Sequence, residues 1–143
     1  MVVSNRWILP DGVVDVLPAQ AQLLETIRGR MLKLFGTWGY DLVIPPMLEF
    51  TDSLHSAAGE DLELLTFRTV DPLSGQTMGV RPDITPQIAS IDAHSLRNRG
   101  PSRLCYVGTV LHTRARDALS SRTPISIGLE LFGESHLSAD IEV

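Results

Sequence analysis

Glu130 lies in a segment whose pattern is typical of a covered β-strand. In the run ISIGLELF at 125–132, alternate residues fall on opposite faces of a strand, so Glu130 shares a face with Ser126 and Gly128. A carboxylate on a covered sheet face is costly unless it is paired or faces a wet pocket. The pattern therefore indicates one of two things: an acid that accepts a ligand ammonium or imidazole beside a glycine that gives the ligand room, or an acid on a solvent-exposed face.

Asp83 and Thr85 form a second candidate, in the run GVRPDITPQ at 79–87. The residue before a proline is steered away from helical geometry, so Arg81 and Pro82 predict an extended turn. This turn places Asp83 and Thr85 between a strand and the start of a helix, where a short acid and backbone donors can orient a polar ligand. The alternative is that one of them only caps the helix.

Four arginines are candidate partners for a phosphate or a carboxylate. They are Arg81, Arg114, Arg116 and Arg122. The last three lie in or beside a predicted loop, where arginine is more often a solvated surface residue. The sequence contains no phosphate-binding glycine loop of the P-loop or dinucleotide type.

The histidines and the single cysteine give no pattern of a metal site. His55, His94, His112 and His136 are dispersed, with no paired spacing and no cysteine cluster, so we expect no metal ligands among them. Cys105 lies inside an apolar, strand-like run without a nucleophile context, which predicts a buried structural thiol. One cysteine excludes a disulfide within the chain and favours a reducing, cytoplasmic location.

Composition places these residues in one folded domain. With 143 residues, of which 43% are apolar and 20% charged, the chain is able to bury a core. The net charge of −5 and the scattered basic residues disfavour nucleic-acid binding, because no Lys/Arg run is present to follow a phosphate backbone. The N-terminus does not resemble a signal peptide, and no stretch approaches the ~20 apolar residues that a membrane span needs. We therefore expect a cytoplasmic protein that binds neither nucleic acid nor membrane.

Turn residues and apolar periodicity divide the chain into helices and strands. The predicted elements of the first half are a helix from near Pro18 to Gly39, a short buried strand over 40–44 closed by Pro45 and Pro46, an edge strand over 47–50, and a mobile connection or short helix over 51–64. Those of the second half are strands over 65–70 and 76–80 joined by a turn, a helix capped by Thr85, strands over 104–111 and 125–132, and a last helix capped by Ser138. This order indicates an α+β fold with a mainly antiparallel sheet.

Five segments, in this order, resemble the family of ATP phosphoribosyltransferase regulatory subunits, which are paralogues of histidyl-tRNA synthetase. The segments are LPDGVVDVLP, FGTWGYDLVIPPMLEF, GVRPDITPQIASIDAH, RLCYVGTVLHTR and ISIGLELFG. The resemblance implies a class II aminoacyl-tRNA synthetase-like antiparallel sheet flanked by helices. Residues 1–143 would be a truncated, N-terminal part of that domain, with the regions of motifs 1 and 2. FGTWGYDLVIPPMLEF resembles motif 1, which builds the dimer interface in that family, and so implies a homodimer or a higher oligomer.

The same resemblance assigns four residues to a histidine pocket. Asp83 and Thr85 match an acid and a threonine that help to bind histidine in the synthetase. Glu130 matches a glutamate that contacts the same ligand. Ser126 stands where the synthetase has a glutamine.

The chain departs from the synthetase pattern in the first half of motif 2. His112 stands where a working synthetase has an arginine that clamps ATP and the substrate carboxylate, and Arg114 stands where it has a glutamate. A neutral imidazole cannot replace a guanidinium fork. The resemblance therefore implies a pocket, with His112 and Arg114 beside it, that binds a ligand without forming an adenylate.

A non-catalytic regulatory subunit without a cofactor is the function that the resemblance implies. Its partner would be the catalytic subunit of ATP phosphoribosyltransferase, which performs the first step of histidine biosynthesis. The regulatory subunit would activate this partner and confer inhibition by L-histidine as effector. One alternative is a divergent histidyl-tRNA synthetase core that activates histidine with ATP through Arg114 or Arg116. Another is a dimerisation module with a vestigial pocket.

Overall fold

A computed structural model describes residues 8–55, 60–97, 100–115, 117 and 120–143 of the chain. The first helix, α1, spans Pro18–Thr37, with proline in its first turn. The chain leaves it through Gly39, whose φ of 80° favours glycine, so the predicted start and stop are both confirmed. Most of the α1 surface is exposed, and Phe35 is its buried residue.

The first sheet has three strands in the order β1-β5-β6. These are β1 (Asp41–Leu42), β5 (Ser102–Thr109) and β6 (Ile125–Phe132). β5 and β6 are antiparallel over eight register pairs, from Ser102 with Phe132 to Thr109 with Ile125. β1 runs parallel to β5, which is an exception to the mainly antiparallel pattern that the sequence predicts.

The second sheet is antiparallel, in the order β2-β4-β3. Its strands are β2 (Leu48–Phe50), β3 (Phe67–Val70) and β4 (Thr77–Val80), and the short helices α2 (Thr51–His55) and α3 (Glu60–Leu65) connect β2 to β3. The β3–β4 turn is closed by the carboxylate of Asp71, which accepts hydrogen bonds from Leu73 N and from Ser74 N and Oγ. The predicted edge strand and hairpin are confirmed.

Helix α4 (Thr85–Ser90) runs directly into a π-helical turn, Ile91–Leu96. The helix α5 (Leu137–Glu142) follows β6. Arg97 ends the π-helical turn with a φ of 49°, in the left-handed region. Among the helices of the described residues, none is long and apolar enough to cross a membrane.

The first sheet lies between two hydrophobic cores. On one face, α4 contributes Ile84 and Ile88 to a core with Leu104, Tyr106 and Val110, against which Val43 and Phe132 pack. On the other face, Phe35 of α1 packs with Tyr40 and Cys105, and with Met31, Leu32, Ile127 and Leu129. The alternation predicted for β6 is therefore confirmed, and so is the buried position of the Cys105 thiol.

Three details of the predicted elements are wrong. The strand expected over 40–44 is only two residues long, and both residues are exposed, because Pro45 and Pro46 follow closely and β1 pairs on one side only. Thr85 does not cap α4, since Ile84 holds the N-cap position and no side chain bonds from there. Ser138 lies within α5, whose N-cap is His136.

Candidate functional site: a cleft at the ends of β4, β5 and β6

A cleft of about 380 Å³ opens where β4 and β5 end and β6 begins. Its walls come from α3, from the segment after β4, and from the loop between β5 and β6. The lining residues are Leu62, Pro82, Asp83, Val110, His112, Ser120, Ser121, Pro124, Ile125 and Ser126. Three of the six predicted site residues, Asp83, His112 and Ser126, thus line the same cleft.

Asp83 is oriented by the start of α4. Its Oδ1 accepts hydrogen bonds from Ile84 N at 2.6 Å and Thr85 N at 3.4 Å. The expected capping role is therefore performed by Asp83 and not by the Thr85 hydroxyl. No residue in the described ranges bonds to Oδ2, so the carboxylate keeps one oxygen for a partner in the cleft.

His112 is 6% exposed, and its ring is held by a backbone carbonyl. Nε2 lies 2.9 Å from Pro82 O. Because a carbonyl oxygen only accepts, Nε2 carries the proton in the neutral ring and Nδ1 remains an acceptor. Arg122 fixes the backbone: its carbonyl accepts from His112 N at 2.8 Å, and its Nε donates to His112 O at 3.1 Å.

Thr85 and Glu130 do not line the cleft but form a polar chain beside it. The Thr85 hydroxyl lies 3.0 Å from the Tyr106 hydroxyl, on the side of the Glu130 carboxyl. Either hydroxyl of the Thr85–Tyr106 pair is able to donate to the other. Burial raises the pKa of Glu130, the Thr85 hydrogen bond opposes this rise, and the nearby Asp83 carboxylate adds to it.

The space over Gly128 is filled by the ring of Tyr106. These two residues are register partners on β5 and β6. Gly128 lies between Ser126 and Glu130 on the same strand face, so the phenol separates the cleft wall from the glutamate. Sequence reasoning expected a ligand beside this glycine; in the structure, an internal side chain occupies the position.

The candidate arginines do not converge on the cleft. Arg81 is 5% exposed and is engaged by backbone carbonyls: Nη1 donates to Pro45 O at 2.8 Å, and Nε donates to Thr109 O at 3.1 Å. Burial lowers the pKa of Arg81. Arg122 donates to Asp11 O at 3.1 Å and stacks over a ring, with 5.3 Å between Cζ and the Phe67 centroid.

Arg114, the sixth predicted site residue, is exposed and lines a separate depression with Asp11, Gly12 and Thr113. Arg116 lies outside the described residues. The part of the chain that the structure describes contains no group of three or more His, Cys, Asp or Glu side chains that could hold a metal ion.

Sequence reasoning missed the role of Tyr106, and it missed the contact between Pro82 and His112. Tyr106 forms part of the polar chain, and the Pro82 carbonyl sets the tautomer of His112. A signal for Tyr106 was available: an aromatic residue opposite a glycine in an antiparallel pair often covers it. The role of Pro82 could not be found in this way, because it depends on a contact between distant segments.

Comparison with known proteins shows to which family the chain belongs. The family model described as Histidyl-tRNA synthetase matches residues 12–143. The chain belongs to the histidyl-tRNA synthetase family.

Relatives within this family carry a more specific name. A protein of Stutzerimonas stutzeri named "ATP phosphoribosyltransferase regulatory subunit" is 57% identical over 143 residues, and one of the same name from Saccharophagus degradans is 58% identical over 139 residues. The matches cover 100% and 97% of this chain but only 36% and 35% of those two proteins. The chain therefore spans about a third of the length of these relatives.

Solved structures of the histidyl-tRNA synthetase family confirm the fold class. A Bacillus halodurans structure described as an ATP phosphoribosyltransferase regulatory subunit/histidyl-tRNA synthetase superposes with a TM-score of 0.84 at 30% identity, over 100% of this chain and 37% of that one. The apo histidyl-tRNA synthetase of S. aureus superposes with a TM-score of 0.75 at 21% identity, over 94% of this chain and 31% of that one, and shows the fold alone. The α+β, class II synthetase-like architecture is thus established.

Proposed function

We propose that this protein is a non-catalytic regulatory subunit of ATP phosphoribosyltransferase, which activates the catalytic subunit and makes it sensitive to histidine. The names of relatives that are 57% and 58% identical to the chain support this role. Residues 1–143 would be the N-terminal part of the class II synthetase-like domain. The first step of histidine biosynthesis, in the cytoplasm, is then the reaction that the protein regulates.

The side chain at position 112 is the observation that carries the proposal. Adenylate formation builds up charge on a phosphate, and a guanidinium fork is the usual group that stabilises it. His112 offers an imidazole whose Nε2–H is already donated to Pro82 O. Among the described residues no arginine lines the cleft, and Arg81 is engaged by carbonyls. This arrangement favours binding without activation.

L-Histidine is the proposed effector, and the cleft with the adjoining polar chain is its proposed site. Asp83 provides a carboxylate in the cleft for an ammonium or an imidazole, and Glu130 would join it once the Tyr106 ring has moved aside. Binding there regulates the catalytic subunit only if histidine has a higher affinity for one state of the complex between the two subunits than for another. A difference of about tenfold in affinity would shift the equilibrium between those states by about 1.4 kcal/mol.

A second copy of the chain is the proposed partner at the surface around β1. Apolar side chains are exposed there, with Trp38 at 59%, Ile44 at 76% and Met47 at 51%. Exposed apolar side chains of this size are typical of a surface that another protein covers. We therefore propose a homodimer, or a higher oligomer built from it, in which this surface is covered.

A divergent histidyl-tRNA synthetase is the second candidate, which the family match over residues 12–143 favours. The two candidates differ in the reaction that the protein would catalyse in the absence of a partner. A synthetase would exchange pyrophosphate into ATP in the presence of histidine, without any partner. A regulatory subunit would show no such exchange.

The deciding experiment is an assay of the catalytic subunit of ATP phosphoribosyltransferase with and without the intact protein, across a histidine titration. Stimulation by the protein that histidine reverses would support the regulatory role. Absence of stimulation, together with histidine-dependent pyrophosphate exchange by the protein alone, would assign it to the synthetases instead. Absence of both would leave a dimerisation module with a vestigial pocket.

A further inference from the structure

The segment 81–87, which forms part of the cleft wall, is held at both ends by the proline link, defined as Pro45 and Pro46 between β1 and β2. At the start of the segment, Arg81 Nη1 donates to Pro45 O at 2.8 Å and to Pro46 O at 3.4 Å. At its end, Gln87 Nε2 donates to Pro46 O at 2.8 Å. The two donor residues are 5% and 3% exposed, so these hydrogen bonds lie inside the fold.

The backbone of Arg81 joins the proline link to the part of the wall that contains His112. Its N–H donates to Met47 O at 3.0 Å, and its carbonyl accepts from Leu111 N at 3.2 Å. The next contact along the same two segments is that of Pro82 O with His112 Nε2. A displacement of Arg81 therefore moves one wall of the cleft together with the proline link.

The guanidinium of Arg81 packs closely against β5. A β-carbon at position 108 would collide with Nη2, so Gly108 leaves the space that the guanidinium fills. Nε donates to Thr109 O at 3.1 Å. Because interiors are close-packed and the guanidinium is a rigid fork, such a side chain transmits a displacement and does not absorb it.

The proline link lies beside the surface at which a second copy of the chain is proposed to bind. Ile44 and Met47, on either side of the link, are 76% and 51% exposed. Glu49 follows in β2, and its Oε1 accepts from Gln87 Nε2 at 2.7 Å. Association of two copies at this surface would fix the proline link and, through it, the segment 81–87.

We propose that Arg81 and Gln87 are positioning residues that couple the cleft to this surface, so that ligand binding and self-association strengthen each other. They act through the segment 81–87 and do not line the cleft themselves. A second copy preorganises the cleft wall and so raises the affinity for the ligand. By linkage, the ligand raises the association constant by the same factor. The inference rests on the proposed function, which places histidine in the cleft and a second copy at the surface.

Analytical ultracentrifugation of the intact protein measures the coupling as a ratio of two association constants, one with saturating L-histidine and one without it. We expect a ratio of at least about five in the unaltered protein. A smaller ratio would overturn the inference, because the cleft and the surface would then act independently.

Gln87→Met removes the donating N–H groups and keeps the length of the side chain. It also removes Gln87 Oε1, which is buried and has no hydrogen-bond partner among the described residues, so we expect the variant to fold. Gln76→Met is the matched control, because it makes the same change at an exposed position before β4. The ratio in Gln87→Met should be at least about twofold lower than in the control. A smaller difference between the two variants would overturn the inference.

Arg81→Lys is a second variant, since lysine keeps the charge and loses the fork that bonds to several carbonyls. We expect the ratio to fall as it does in Gln87→Met, and an unchanged ratio would count against the role of Arg81. If this variant does not fold, Gln87→Met decides alone. Loss of stability does not imitate the result, because each ratio compares one variant with itself.

The regulatory role is judged separately, by stimulation of the catalytic subunit. A protein that stimulates this subunit but shows no coupling would refute the inference and keep the proposed function. A protein that shows the coupling without stimulation would keep the inference and refute the regulatory role.

Discussion

The phenol of Tyr106 covers Gly128 so closely that a β-carbon at position 128 would stand 2.5 Å from the Tyr106 hydroxyl oxygen. The tyrosine thus occupies the space that the missing side chain leaves. Its hydroxyl is thereby brought to 3.0 Å from the Thr85 hydroxyl, next to which Glu130 lies. The glycine determines where an internal hydrogen-bond donor lies.

Gly128→Ala should destabilise the fold, because the added methyl group forces the Tyr106 ring to move within a packed core. We expect a loss of about 1–3 kcal/mol in the free energy of unfolding, measured by urea denaturation. Gly29→Ala in α1 is the matched control, since no atom lies within 4 Å of a β-carbon there. The control should gain about 0.5–1 kcal/mol from helix propensity. An unchanged stability of Gly128→Ala would contradict the position of the ring.

Gln87→Glu should be strongly destabilising, although the two side chains have the same shape. Gln87 is 3% exposed, and its Nε2 donates to Pro46 O at 2.8 Å and to Glu49 Oε1 at 2.7 Å. A glutamate would bury a negative charge against both acceptors, at a cost of about 3 kcal/mol or more near neutral pH. Urea denaturation measures the cost, with the exposed Gln76→Glu as control. A loss no greater than that of the control would show that Gln87 is not held by these contacts.

Glu130→Gln should make stability less dependent on pH. Burial raises the pKa of Glu130 in the folded protein, so the folded state binds the proton more tightly than the unfolded state. Stability from this group is therefore present below the ordinary pKa of a glutamate and is lost as pH rises through the folded pKa. Urea denaturation of the variant at pH values across this window should show a smaller fall with pH than the unaltered protein does. An identical fall in both proteins would refute the role of Glu130.

Glu142→Gln should loosen α5 and remove part of the acid sensitivity of the protein. Glu142 accepts from Arg103 Nε at 2.6 Å and Nη2 at 2.9 Å, and from the Tyr40 hydroxyl at 3.1 Å. The hydrogen bonds from Arg103 lower the pKa of Glu142. Its stabilising effect is therefore present above the ordinary pKa of a glutamate and is lost as pH falls through the folded pKa.

Hydrogen exchange of the amides in 137–142 measures this effect. In the unaltered protein, protection should fall as the solution is made acidic, whereas in Glu142→Gln it should be low throughout. Asp140→Asn, at an exposed position of the same helix, is the control and should resemble the unaltered protein. Equal protection in all three proteins would show that the Arg103 contact does not hold α5.

Features that depend on neighbouring residues were predictable from the sequence. The two-residue period of β6 placed Ile127 and Leu129 on one face and Glu130 on the other, and the structure confirms this because each face has its own core. Asp71 and Gly75 predicted the β3–β4 turn, because an aspartate that bonds to its own backbone and a glycine with positive φ suffice to close it.

Features that depend on distant residues were not predictable. Arg81 was a candidate to bind an anionic ligand. Its guanidinium instead donates to the carbonyls of Pro45 and Thr109, which come close to it only in the folded chain. The parallel pairing of β1 with β5 is likewise a contact between remote segments. The cleft could be predicted in part, because Asp83 and His112 lie next to strand ends. That Tyr106 separates Glu130 from the cleft could not be predicted.

The parallel pairing of Asp41 with Leu104 has a consequence for the order in which the chain folds during synthesis. The second sheet is complete once Val80 has been made, since its strands lie close together in the chain. The first sheet must wait for β5 and β6, and contacts between remote segments form slowly. Until then Met31, Leu32 and Phe35 of α1 lack the β5 and β6 residues that they pack against, so this end of the helix stays uncovered on the nascent protein.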